Sequence, residues 1–116
     1  MKKKIIFCFD IDNTICTTKD NDYKNSKPKK KIIKIINRLY IKGHMIKIYT
    51  ARYMGRNNDK SDLAQKQGYK KTYNQLKKWG LKFHFLYFGK PSSDIYIDDK
   101  SLGFSKLIFK KLKNYL

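Results

Sequence analysis

Four short apolar runs constrain this chain more than anything else in it: "KIIFCF", "HMIKIYT", "FHFLYF" and "DIYID". Each is rich in Ile, Phe or Tyr, and polar residues stand at or just past the ends: Asp10, Thr50, Gly89 with Lys90, and Asp98 with Asp99. Apolar runs this short, bounded by turn signals, read as buried strands. Between them the period changes. After Pro28, residues Ile32, Ile35, Ile36, Leu39 and Tyr40 recur at helical spacing, with Gly43 just beyond the end. A weaker pattern on Tyr69, Tyr73 and Leu76 predicts a helix closed by Gly80, and the tail places Phe104, Leu107, Ile108, Leu112 and Tyr115 on one helical face. The polar segment 14–27 reads as a long loop or small flap. The alternation predicts an α/β fold: a three-layer, Rossmann-like open parallel sheet with helices on both faces, filling residues 1–116 as a single domain.

In such a sheet right-handed crossovers bring every strand's C-terminal end to one edge, where ligands bind. Asp10, Asp12, Thr50, Lys90, Asp98 and Asp99 all lie at or just past strand ends, so they are expected to converge on one crevice. Crowded carboxylates repel one another, and a hard divalent cation with oxygen ligands relieves that repulsion, magnesium being the default. Lys90 and the Thr50 hydroxyl are then donors for an anion, and a phosphoryl group matches that pattern. A carboxylate held beside such a phosphate can attack phosphorus and form an aspartyl-phosphate. A second acid two residues on can protonate the leaving oxygen and then take a proton from water.

Charge alone is less specific. The 28 Lys and Arg against nine Asp, with no Glu, give +19, which attracts phosphate-bearing partners: nucleic acid, anionic lipid or phosphorylated metabolites. Nearly all of the basic residues are lysine and valine is absent, so a skewed codon supply accounts for the charge as well as binding does. Cys8 and Cys16 form no CxxC pair and have no His at ligand spacing, which predicts reduced thiols rather than zinc. The start "MKKK" before "IIFCF" imitates a signal peptide, but Asp10 ends the run too early, and no stretch approaches a membrane span. A soluble cytoplasmic protein is expected.

"FDIDNT", "YTAR", "FGKP" and "YIDD", in that order, resemble the four signature motifs of the haloacid dehalogenase-like superfamily, in its phosphatase branch. The resemblance runs from Asp10 to Asp99. It implies Asp10 as nucleophile and metal ligand, and Asp12 as general acid and base whose backbone carbonyl also touches magnesium. By the same resemblance Thr14 orders the turn beside the substrate, Thr50 binds the phosphoryl group, Lys90 neutralises charge at the phosphorylated aspartate, and Asp98 and Asp99 complete the metal site. "IYTAR", "FGKPSSDIYIDDK" and "DYKNSKP" are further similar to a small bacterial subfamily of capsule-biosynthesis phosphatases. That similarity implies a phosphorylated sugar or another small phosphorylated precursor of a surface polysaccharide as substrate. Asn13 stands where the family commonly has glycine, and asparagine also tolerates the left-handed backbone of such a turn.

Many members of the superfamily carry a cap domain over the site, but here the intervals from Asp12 to Thr50 and from Thr50 to Lys90 are already filled, so no cap is expected. An open site implies a large substrate or a neighbouring subunit as lid. Nine tyrosines and seven phenylalanines favour the second, a homo-oligomer such as a dimer or tetramer. The competing reading, a nucleic-acid-end phosphatase or nucleic-acid-binding protein, leans on charge and lacks a reader motif. A signalling receiver domain has the wrong motif order, since its adjacent acidic pair comes first and its lysine last. Arg52 reads either as a clamp on substrate phosphate or carboxylate or as a solvated loop arginine, and Arg56 is a weaker candidate for the same role. Tyr23 either folds over the site from the flap or is an ordinary loop residue. His44 and His84, at strand starts, fall on the opposite edge and are expected to be structural or exposed.

Overall fold

The computed structural model describes residues 4–54, 60–98 and 107–116; Arg56, Asp99 and Phe104 lie outside them. The elements run β1 (Ile6–Asp10), β2 (Cys16–Thr17), a 3-10 turn (Tyr23–Asn25), β3 (Lys27–Pro28), α1 (Lys30–Ile41), β4 (Met45–Thr50), α2 (Ser61–Lys78), β5 (Phe85–Phe88), β6 (Ile95–Ile97) and α3 (Leu107–Lys113). Four strands form a parallel sheet in the order β5-β4-β1-β6, the open α/β sheet that the apolar runs predict. β1 is paired on both sides, which is why "IFCF" has no room for a charge before Asp10. The segment after Asp10 folds into a small antiparallel pairing of β2 with β3, so that Pro28 sits in a strand and α1 begins at Lys30.

The layering differs from the expected sandwich. Paired residues in a parallel sheet share a face, so Phe7, Phe9, Ile46, Ile48, Leu86, Phe88 and Ile97 line one side. All of these are buried, and the helices pack there. Tyr69 of α2 meets the ring of Phe88, Tyr115 beyond α3 meets Phe7, and α3 packs against α1. Two crossovers that step the same way, β1 to β4 and β4 to β5, must lay their helices on the same face if both are right-handed. The return from β5 to β6 is made by residues 89–94, too short for a helix. It crosses the other face, fastened where the Lys47 ammonium donates to the Ser92 carbonyl at 2.7 Å and where Asp94 and Ile6 exchange two bonds of 3.0 and 2.7 Å. Among the described residues, then, helices cover one face rather than two.

His44 and His84 hold strand starts together. His44 Nδ1 accepts from the Ile5 amide at 3.1 Å and its Nε2 faces the Tyr115 carbonyl at 2.9 Å, while His84 Nδ1 accepts from the Ile46 amide at 3.0 Å. His44 is buried and His84 is exposed at its ring edge, both far from the strand ends that carry acids. Trp79 packs against the core from the end of α2.

Cys8 and Cys16 are free and fully buried. Burial pushes the Cys8 thiol up to about 12 against the opposing pull of Lys47 and Lys90, and raises that of Cys16 too. The thiolate is the reactive form, so at pH 8 neither cysteine is expected to react with an aromatic disulfide reagent in the folded protein, and both should react in denaturant. Labelling of Cys8 at native conditions would mean that the 89–94 crossover does not stay closed over it.

No helix among the described residues is long and apolar enough to cross a membrane.

Candidate active site

Asp10 ends β1, and one step past the Phe9 and Ile97 pair Asp98 follows β6, so the two carboxylates leave neighbouring strands side by side on the face opposite the helices. Asp10 Oδ1 accepts from the Ile11 amide at 2.8 Å, which orients it over the turn. Tyr49, the register partner of Asp10 on β4, donates its hydroxyl to Asp98 Oδ2 at 2.9 Å. Burial and the adjacent carboxylates raise the Tyr49 phenol above its ordinary range, so it stays a proton donor. The Lys90 ammonium rests on the same side, 4.3 Å from the ring centroid of Tyr96 and 6.0 Å from that of Tyr49. Gly89 makes the exit from β5 with φ of +117°, its amide donating to the Thr50 carbonyl at 3.1 Å, and so turns Lys90 across the sheet.

Asp10 and Asp98 offer oxygen donors alone, which suits a hard divalent ion that keeps several waters. Among the described residues no group of three Asp, Glu, His or Cys gathers there, and Asp99, the remaining expected ligand, lies outside them. The donor set present fits magnesium and does not fit a soft metal.

Asp12 stands just beyond, on a turn in which the amides of Thr14, Ile15 and Cys16 all converge on the Ile11 carbonyl at 2.8–3.3 Å. Asn13 adopts φ of +63°, the left-handed conformation its position demands. The Asp12 carboxylate is held from two directions. Thr18 donates its hydroxyl to Oδ1 at 2.5 Å and is itself 2.6 Å from the Ser26 hydroxyl. Arg52 grips the same carboxylate as a fork, Nη2 at 2.8 Å and Nε at 3.0 and 3.2 Å.

Arg52 is therefore no solvated loop residue. It is 2 % exposed, its guanidinium lies 4.7 Å from the Tyr23 ring centroid, and Nη1 donates to Gln75 Oε1 at 2.6 Å. Gln75 in turn donates to the Tyr23 carbonyl at 2.7 Å, so flap, β4 exit and α2 meet on one side chain. Nor does Arg52 reach out as a clamp in this state; its fork is spent on Asp12. Thr50 is buried, and its hydroxyl accepts from the Arg52 amide at 3.0 Å. Thr14 is wholly buried and its hydroxyl has no hydrogen-bond partner among the described residues, so the structure does not bring it to the crevice surface.

Tyr49, Thr18 and Gln75 escape a reading of the sequence, whereas Tyr23 lies over the Arg52 guanidinium from the flap, the first of its two expected places. For Tyr49 alone a signal exists, since strand alternation puts it on the same face as Lys47 and level with Asp10.

Tyr53 follows Arg52 at φ of +67° and sets the Cδ2–Cε2 edge of its ring against Gly68 of α2. A Cβ at Gly68 would stand 2.2 Å from the Tyr53 ring. Alanine for glycine inside a helix ordinarily stabilises by about 1 kcal/mol. Gly68→Ala is expected to lose that gain and to lower the thermal midpoint, because the ring beside the Arg52 junction must move; a midpoint above wild type would contradict this packing.

No protein-family model and no curated protein matches the chain. Among solved structures it is similar to a crystal structure of a target protein from Vibrio cholerae, with 22% sequence identity over 98% of each chain and a TM-score of 0.70. At that identity the likeness establishes a shared α/β fold.

Proposed function

We propose that the chain is a magnesium-dependent phosphomonoester hydrolase acting through an aspartyl-phosphate on Asp10. The observation that carries the reading is the side-by-side exit of Asp10 and Asp98 from neighbouring strands, with Lys90 on the same face and Asp12 braced beyond them. Asp10, Asp98 and the Asp12 carbonyl, with Asp99 as the motif resemblance implies, would hold the ion, which supplies positive charge against the repulsion between the attacking carboxylate and the phosphate. Asp10 attacks phosphorus and the ester P–O bond breaks, while Asp12, once a proton has taken the place of the Arg52 fork on its carboxylate, gives that proton to the leaving oxygen. Asp12 then takes a proton from the water that attacks the acyl phosphate, releasing inorganic phosphate and restoring both acids. Lys90 offsets charge on the phosphorylated aspartate, and Tyr49 keeps Asp98 turned toward the site. The subfamily resemblance favours a phosphorylated sugar or similar small precursor as substrate.

The test is phosphate release from a panel of sugar and amino-alcohol phosphates with magnesium and with excess chelator. Turnover that needs the ion supports the reading; no release from any monoester sinks it.

A further inference from the structure

Beside the Asp12 and Arg52 junction, a cleft of about 560 Å³ opens between the flap and α2. Its walls include Lys24 of the flap, Arg52, and Lys71, Thr72 and Lys78 of α2. Lysines 71 and 78, with Gln75 between them, are four and three residues apart along α2 and share one face. Among the described residues no acidic side chain lines the cleft. Thr72 is 1 % exposed, and its hydroxyl has no hydrogen-bond partner among the described residues. A hydroxyl in a helix can bond back to the carbonyl one turn earlier, and a buried one left unpaired costs stability. A hydroxyl without a partner, in a wall whose described charged side chains are all cationic, suits an anion.

We propose that this cleft is a second anion site, taking a carboxylate or phosphate on the leaving group of the substrate. The substrate class is thereby narrowed to molecules with two anionic groups, one hydrolysed at Asp10 and one seated against Lys71, Thr72 and Lys78. Tyr23 and Tyr53, whose rings meet edge to face at 5.3 Å, add apolar wall for a body that joins the two groups. Arg52 links the two places, since it lines the cleft and grips Asp12. The inference rests on the phosphatase reading for the position of the first group, and the experiment separates the two.

Phosphonates have an uncleavable P–C bond, so binding is measured without turnover. Calorimetric titration at about 0.1 M salt compares 4-carboxyphenylphosphonate with phenylphosphonate. The expected result is about tenfold tighter binding of the carboxylated compound, the scale of one charge-assisted hydrogen-bond set. Lys71→Ala with Lys78→Ala should bring the two ligands to parity. Lys110→Ala with Lys111→Ala on α3, which removes the same charge outside the cleft, should keep the preference. Thr72→Val should weaken the preference while raising the thermal midpoint, because it removes an unpaired buried hydroxyl. Equal affinities in the wild type, no binding of either compound, or a preference untouched by the Lys71 and Lys78 changes overturns the proposal. A preference that behaves as expected without phosphate release from 4-carboxyphenyl phosphate or any other monoester would leave the cleft standing and remove the phosphatase reading.

Discussion

Asp10→Asn is expected to abolish phosphate release, by on the order of 10⁴-fold or more, the scale at which removing a covalent nucleophile acts. Asparagine keeps an Oδ1 that can accept from the Ile11 amide, the bond that Asp10 makes at 2.8 Å, so the turn should survive. The far-ultraviolet circular dichroism and the thermal midpoint should stay close to wild type. Activity within tenfold of wild type would take Asp10 out of the nucleophile's role, whatever the fate of the metal.

Arg52→Ala is expected to have the largest effect on stability. Breaking a buried pair strands its partner, and a cost of about 2–4 kcal/mol follows for a carboxylate that keeps some solvent contact. The side-chain exposures of Arg52 and Asp12 are 2 % and 22 %, which places the pair nearer the buried case than the surface one. The guanidinium also carries Gln75 and the Tyr23 ring, so its loss should free the flap as well. Arg52→Lys keeps the charge without the fork and should recover only part of the loss. In a denaturation cycle, Asp12→Asn combined with Arg52→Ala should cost clearly less than the sum of the two single changes. Strict additivity would show that the bridge contributes nothing of its own.

The parts of the fold legible in the sequence were those set by burial on both sides. β1 is an unbroken apolar run because β4 and β6 flank it, and α1 shows five isoleucine and leucine positions because one whole face meets the sheet. α2 is faint for a physical reason: Lys71, Asn74, Gln75 and Lys78 face the cleft, so only Ala64, Leu76 and a few neighbours carry the apolar signal. The one-sided layering depends on strand order, which periodicity does not encode. The strand-end rule pointed to Asp10, Asp98 and Lys90, which share the sheet face opposite the helices, whereas Thr50 turns to the buried face of Ile48 and Phe88. It could not find what Arg52 does, because a bond across 40 residues to Asp12 leaves no local trace.

The crossover from β5 to β6 has a mechanical consequence. The seven Cα steps from Phe88 to Ile95 reach about 24 Å at full stretch, and three strand spacings use about 14 Å of that in sideways travel. Residues 89–94 thus form a short strap, tied down at Ser92 and Asp94 and, beside Lys90, where the Gly89 amide meets the Thr50 carbonyl. The position of the lysine is set by ties at both ends of a six-residue segment, as a spacer sets a gap in an instrument. The flap can lengthen or shorten without touching that dimension, so variation in what the protein accepts can accumulate there while the gauge between Lys90 and the two strand-end aspartates stays fixed.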